Sequence, residues 1–568
     1  MLHIKTINLI LIFALSFLGF WMPLTGQNLE MIGKEKPLKL SGAISANQVL
    51  YLSNDTVRRR DPYNWLITGN INFNIYGWNV PFSYTISNYE NSYQQPFNQY
   101  SIHPVYKWVT LHAGYCSMNF SPYSLSGHTF LGAGVDLAPH GLFRASFMYG
   151  RLLRAIRPDT SNKDIVPSFQ RIGYGMRLGL VSSSNLLEFI LFKAADNRRS
   201  LNDVTVDSSL KPKENLVLSL RGKVSVLSGL VLNAEIAGSA LTDDVNDSGE
   251  AASGIGKLYA LTGLYKTHAS SQFYKALKTS LNYSYEKSMV GLAYERVDPG
   301  YKTLGAYYSN SDFENFTLNL ATSLFTKISL SLSAGVQQDD LDKKKTSNTR
   351  RFIASTNINY NVNEKLNINT SYSGFQTYTR IRSQFEDINR INPYQYIDTL
   401  MYTQLTNSLN TNVSYAFART EKRQRFLSLN LSYQKDSDNQ ASKYSGSDFI
   451  NGNLCYAHTI IPVGLTSSAS FNVTDVDAPG AKSLTVGPSI SVSKQMLKRT
   501  LRPTICLSYN RSYANGAFMN VSFISRLMMN YTYKKRHNLT TSLVFADIKN
   551  LTSVRREFTG TMGYSYNF

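Results

Sequence analysis

Apolar and polar residues alternate along nearly the whole chain. Ile67, Gly69, Ile71, Phe73 and Ile75 alternate with Thr68, Asn70, Asn72 and Asn74. Ile328, Leu330, Leu332, Ala334 and Val336 alternate with Ser329, Ser331, Ser333 and Gly335. Leu427, Leu429, Leu431 and Tyr433 alternate with Ser428, Asn430 and Ser432. A period of two puts each apolar set on one face of a β-strand. The opposite face is Ser, Thr, Asn and Gly, which is wet but weakly charged. Such a face suits a hydrated lumen better than the dry inner face of a soluble sandwich.

The C-terminus repeats the pattern. Phe558, Gly560, Met562, Tyr564, Tyr566 and Phe568 share one face, and the chain ends on Phe568. A terminal strand ending on an aromatic is the usual closing strand of an outer-membrane barrel and resembles the tail signal read by barrel-assembly machinery. The expected fold is therefore all-β, a transmembrane antiparallel β-barrel of the outer-membrane type. Segment counting predicts about 24 strands, with a range of roughly 22 to 26, between residues 64 and 568.

Connection lengths test that count, because periplasmic turns are short and external loops long. Most connections obey it, but two early ones do not. Residues 77–79 form a short turn on the predicted outside, and residues 88–102 form a long segment on the predicted periplasmic side. Counting the region from Leu38 to Tyr51 as one more strand repairs both but reverses every later connection. Pro488 and Pro503 fall inside strands, where each removes a ladder donor, so bulges are expected there.

The N-terminus reads as a secretory signal. Lys5 is the only charge before Glu30, and residues 9–21 are almost continuously apolar. That run is short of the roughly 20 residues a spanning helix needs, so cleavage is expected after Gly26. The expected organisation is a signal peptide over 1–26, a periplasmic segment over 27–63 that can fill the lumen, and a barrel over 64–568. One texture without linkers suits a barrel, which grows by adding strands, better than several soluble domains.

Composition sharpens the class. The chain holds 37 Tyr and 29 Phe but only 4 Trp, and amphipathic rings suit the two membrane interfaces. A mean hydropathy of −0.23 fits a wall in which every second residue faces lipid. Cys116, Cys455 and Cys506 are too few and scattered for a disulfide framework. The net charge of +20 includes clusters at Arg58-Arg59-Arg60, Lys343-Lys344-Lys345 and Lys534-Lys535-Arg536. In this compartment nucleic acid is not an expected partner. Cations at the outer rim can pair with phosphates of surface glycolipid, and cations in the lumen can favour anions.

Site chemistry is sparse. Four of the eight histidines, His103, His112, His128 and His140, fall close together in sequence, but no acidic partners recur at ligand spacing. The run from Asp244 to Gly249 opens like a calcium loop, but Ile255 occupies the bidentate position. Neither a nucleophile elbow nor a nucleotide fingerprint is present, so no enzyme activity, metal or cofactor is expected. Binding candidates lie in connections. Tyr93, Gln94, Pro96, Phe97 and Tyr100 form a charge-poor aromatic segment suited to protein contact. Arg296, Asp298 and Tyr301 begin a loop expected to fold over or into the lumen. Arg380, Arg382, Glu386, Asp387 and Arg390 carry both signs of charge and can pair to hold a lid closed.

The runs at residues 95–108, 120–134 and 294–315 resemble a family of outer-membrane β-barrel proteins from Bacteroidota, one member of which is similar to the Plug subunit of the type IX secretion translocon. The resemblance implies a non-enzymatic, sealed barrel that docks on a secretion translocon. A channel or transporter for anionic or large solutes is the other expectation. Outer-membrane lipid, surface glycolipid and the assembly machinery are its expected partners in either case.

Overall fold

The structure is a computed structural model. It describes residues 38–55, 60–75, 78–88, 96, 98–158, 167–201, 210–249, 254–343, 350–374, 405–437, 439–440, 443–444 and 446–568. The signal-peptide expectation lies outside these residues.

One antiparallel sheet of 26 strands closes on itself. In chain order the strands begin with β1 (Leu38–Ser53), β2 (Tyr63–Ile75), β3 (Trp78–Ser87) and β4, which is split into Gln99–Ile102 and Val105–Tyr106. They continue with β5 (Val109–Asn119), β6 (Ser126–Leu137), β7 (Phe143–Leu153), β8 (Gln170–Val181) and β9 (Leu186–Asn197). Next come β10 (Glu214–Leu227), β11 (Leu230–Thr242), β12 (Ser271–Tyr285), β13 (Ser288–Val297) and β14 (Phe313–Leu324). Then follow β15 (Ile328–Gln338), β16 (Arg350–Asn361), β17 (Leu366–Ser373), β18 (Leu405–Arg419), β19 (Arg423–Ser437) and β20 (Ser447–Ile460). The last six are β21 (Leu465–Ala478), β22 (Ala481–Lys494), β23 (Leu501–Ala514), β24 (Ala517–Tyr533), β25 (His537–Asn550) and β26 (Val554–Asn567).

The strand count corrects the expected 24. Two strands were missing from it. The first, β1, pairs along its length with β2 and also with β26, from Ala43↔Asn567 to Ser53↔Glu557. It is the staple that closes the barrel, and the wall starts at Leu38 rather than Asn64. The second, β4, begins inside the segment read as one long periplasmic connection, with its Gln99–Ile102 half within residues 88–102. A tight turn at Lys107, whose φ of 51° is left-handed, separates it from β5.

Adding both strands, one before and one within the anomaly, repairs the two exceptions and leaves every later connection in place. Connections after even-numbered strands are now all short, the longest being 495–500. Every long connection follows an odd-numbered strand. Leu38 and Phe568 then both lie at the short-turn end, which in such barrels is periplasmic. The Ser87 end of β3 and the Gln99 end of β4 therefore lie at the long-loop end, opposite to the side expected for this connection.

Closure follows from backbone chemistry. An open sheet in lipid would leave a row of unpaired amides at each edge. Here Phe568 and Gly42 exchange backbone hydrogen bonds at 3.1 and 3.2 Å, so the last residue is sealed into the first strand. The outward face carries the apolar set: Leu187, Phe189, Leu220, Ile236, Leu292, Phe316, Phe471 and Ile505 are all exposed. A closed barrel with an exposed apolar outer band places the protein in the cell outer membrane.

The proline expectation fails in an informative way. Val486 pairs with Arg511 and Ser489 with Ser508, the same register on both sides of Pro488. The ladder skips the donor-less position without shifting. At Pro503 the ladder towards β22 stops, while pairing with Met529 on β24 continues in register. The bulge in this region lies elsewhere, between Ser512 and Tyr513.

Candidate functional site: two loops packed inside the barrel

On the strands from β5 to β11 the inner face is not uniformly wet. Cys116, Met118, Phe130, Met148, Leu152, Ile190, Phe192, Ala194, Val217 and Leu241 form one buried cluster. They have no lipid to face, so something inside covers them. Two connections from the long-loop end do so, residues 120–125 and residues 298–312. Phe120, Leu125 and Leu304 complete the cluster. A neighbouring cluster joins Tyr123 and Tyr301 to Ala237, Ala276, Val297 and Phe313.

Hydrogen bonds lock the two loops to each other. Ser126 N donates to Gly305 O at 2.9 Å. Thr303 Oγ1 and the Tyr301 hydroxyl donate to the carbonyls of Ser124 and Tyr123, both at 2.7 Å. Others lock them to the wall. Leu304 N donates to Asn215 Oδ1 at 3.1 Å, and Ser239 Oγ donates to Lys302 O at 2.6 Å. Tyr123 donates to Glu295 Oε1 at 2.6 Å, and Ser121 donates to Glu235. Tyr307 stacks on His128 with ring centroids 4.1 Å apart.

Small residues make the fit possible. A Cβ on Gly305 would sit 2.6 Å from both Phe192 Cε1 and Ser124 O, and one on Gly175 would sit 2.9 Å from Phe120 Cε2. Both glycines mark where an aromatic ring and a backbone approach closely. Burial raises the Tyr123 phenol well above its usual range, with the Glu295 carboxylate adding to the effect. Burial does the same to Tyr301.

The same strands are covered from outside. In connection 243–270 the helix α1 (Gly254–Leu261) precedes Tyr265. Tyr259 and Tyr265 bury Leu191, Leu216 and Ala240 on the outward face. Lys193 and Glu214, also outward, form an ion pair at 2.7 Å under this cover, and Lys193 donates to Leu264 O. Thus β9, β10 and β11 are sandwiched: Leu191 and Phe192, Leu216 and Val217, Ala240 and Leu241 are buried in adjacent pairs on opposite faces. That wall is packed on both sides.

The predicted site residues are distributed as follows. Tyr301 lies in the inner lock. Asp298 opens its loop, accepting from Lys275 N at 2.8 Å and from Tyr301 N at 3.1 Å. Arg296 is opposite Leu277 and Glu314 on the outward face, 3.9 Å from the Glu314 carboxylate, and does not enter the lumen. Tyr100 is in β4, outward and exposed, edge-on to Tyr115. Pro96 accepts a hydrogen bond from Gln99 at 2.9 Å. Tyr93, Gln94, Phe97, Arg380, Arg382, Glu386, Asp387 and Arg390 lie outside the described residues.

Sequence reasoning missed two groups. The infolding of residues 120–125 carries no signal beyond its apolar content. The other group is a polar chain on the inner wall. His103 Nδ1 is 2.9 Å from His112 Nδ1, and His112 Nε2 is 2.9 Å from Asp136 Oδ2. Ser146 donates to Asp136 Oδ1 at 2.5 Å and receives from Arg177 at 2.9 Å. The partners come from different strands, so sequence spacing hides them. In the calcium-like loop the carboxylates are already engaged: Asp247 accepts from Ser270 N, Asp244 pairs with Lys211, and Asp243 pairs with Lys213. Among the described residues no three His, Cys, Asp or Glu side chains are grouped to hold a metal.

No family model and no curated protein matches the chain. Solved structures do resemble it. The P pilus usher PapC translocation pore covers 93% of this chain and 99% of its own, at 10% identity and a TM-score of 0.40. OccAB4 of Acinetobacter baumannii covers 68% of this chain and 99% of its own, at 11% identity and a TM-score of 0.27. The FrpB iron transporter of Neisseria meningitidis covers 96% of this chain and 83% of its own, at 10% identity and a TM-score of 0.35. All are barrel proteins, and at these scores the likenesses carry no argument about substrate or partner. The class defined by the closed, lipid-facing sheet is an outer-membrane β-barrel.

Proposed function

We propose that the protein is a non-enzymatic outer-membrane conduit for large hydrophilic solutes, with a lumen narrowed by two fixed loops. The carrying observation is the inner lock of residues 120–125 on residues 298–312 against the strands from β5 to β14. A circular barrel of 26 strands has a Cα radius of roughly 25 Å at a strand spacing near 4.8 Å and a tilt near 40°. Loops that cover one sector narrow such a lumen. The wall from β18 to β22 supports passage, since its inward positions read mostly Ser, Thr and Asn, whereas β24 and β25 carry the buried inner cluster of Ile524, Val544 and Ala546.

Single-channel conductance of the purified protein in a planar bilayer tests this. Wild type should show a steady conductance, and deletion of residues 300–308 should enlarge it. Absence of current from both folded proteins refutes the conduit.

Docking on a protein-secretion translocon, as the resemblance implies, is the second reading. The dry inner cluster favours it, because a sealed barrel needs a rigid filling. The partner segment would then connect the Ser87 and Gln99 strand ends, at the long-loop end. Retention of a co-purifying translocon subunit after deletion of residues 94–99 argues against that surface. Contact with phosphates of surface glycolipid is supported by the outward Lys549 and Arg556, 3.5 and 3.6 Å from Asp547 at the long-loop end.

A further inference from the structure

A row of asparagines crosses the inner wall. Asn359, Asn369, Asn412, Asn430, Asn453 and Asn472, on β16 to β21, stand directly opposite one another in successive pairings. With strands about 4.8 Å apart, the row is about 24 Å long. From Asn412 onward the amides are linked in one direction. Asn412 Nδ2 donates to Asn430 Oδ1, Asn430 to Asn453 at 3.4 Å, and Asn453 to Asn472 at 2.6 Å. Asn472 ends the chain on Gly487 O at 3.4 Å.

The next row is similar. Ser432 donates to Asn410 at 2.7 Å and Thr474 to Asn451 at 2.6 Å. The same wall continues into a cavity of about 510 Å³ lined by Asn282, Asn319, Ser331, Ser333, Ser355 and Asn357, with Met289 and Ala321 beside them.

An amide has two N–H donors and an oxygen with two lone pairs. A bond along the row uses one of each, which leaves a second donor and a second lone pair at Asn430 and Asn453, while the row closes at the buried Asn472. The row therefore holds an uncharged surface of closely spaced donors and acceptors facing the lumen. We infer that this patch is a binding track for a neutral, polyhydroxylated solute of the carbohydrate class. A sugar hydroxyl both donates and accepts, so it matches either group. A charged solute finds no counter-ion in the row. A polypeptide finds no apolar recess among its Asn, Ser and Thr side chains.

The track relies on the conduit for access, and equilibrium binding separates the two readings. The full chain in detergent micelles is titrated calorimetrically with maltohexaose, and hexa-aspartate serves as the charged control. Maltohexaose should bind and the control should not. Asn430→Ser with Asn453→Ser keeps the wall polar and small while breaking the row. It should weaken binding about tenfold, the scale of lost neutral hydrogen bonds. Heat-modifiable electrophoretic mobility confirms that the variant barrel is closed. No binding by wild type, or equal binding by the closed variant, overturns the track. Conductance without sugar binding removes the track and leaves the conduit. Binding without conductance does the reverse.

Discussion

Leu304→Ala is the sharpest probe of the inner lock. Leu304 is 3% exposed and sits where residues 120–125, β9 and β10 converge. Truncating a buried leucine costs about 2–5 kcal/mol through lost transfer energy and the residual cavity. A loop can settle more readily than a core strand, so the lower half of that range is expected, about 2–3 kcal/mol. The backbone bond to Asn215 survives, so the loss falls on packing alone. At about 1.4 kcal/mol per factor of ten, the open fraction of the loop should rise roughly 30- to 140-fold.

The protein carries its own reporter. Cys116 is a free, buried thiol of the same cluster. With Cys455 and Cys506 replaced by serine, a membrane-impermeant maleimide reaches Cys116 only when the lock opens. Labelling should be slow in the parent and faster by the same factor of roughly 30 to 140 in Leu304→Ala, at unchanged heat-modifiable mobility. A labelling rate within about twofold of the parent in a closed barrel would show that Leu304 does not hold the loop down.

Three further outcomes follow from the same geometry. Lys193→Met leaves the Glu214 carboxylate unpaired beneath α1, which costs about 3–5 kcal/mol. The melting temperature should fall, and Lys193→Met with Glu214→Leu should restore most of it; equal melting of the single and double variants argues against the ion pair. The Tyr123 and Tyr301 phenols are held above their ordinary value of 10.0 when the loops are closed. Above pH 10 the open form therefore releases protons that the closed form retains, so stability is full below that pH and declines above it, by up to about tenfold in the opening constant per pH unit per phenol. Cys116 labelling, normalised to an accessible thiol at each pH, should show this rise, and Tyr123→Phe should flatten it. Deletion of residues 38–53 leaves β2 and β26 with open edges in lipid. The product should fail to become heat-modifiable, and a closed 25-strand barrel would refute the stapling role of β1.

The period-two pattern determined the strand faces, the compartment and the closing role of Phe568, because side-chain alternation is a local property of extended backbone. It also came close to the strand number. The miss at β1 and β4 has a specific cause. Parity permits strands only in pairs, and one missing strand lies before the anomaly and the other within it, so adding either one alone reverses the later connections. The loop beginning at Asp298 was legible as an infolding candidate from its aromatics. Its seat was not, because Phe192, Asn215 and Phe120 come from three separate parts of the chain. The asparagine row is likewise invisible in sequence, since Asn359 and Asn472 are adjacent to the same track only through five cross-strand registers. Sequence alone settled which side meets lipid on the strands that alternate cleanly, but not on β9 to β11, where both faces are apolar. Tertiary register decided which residues meet one another across the lumen wall, because closure is a long-range constraint that no local period encodes.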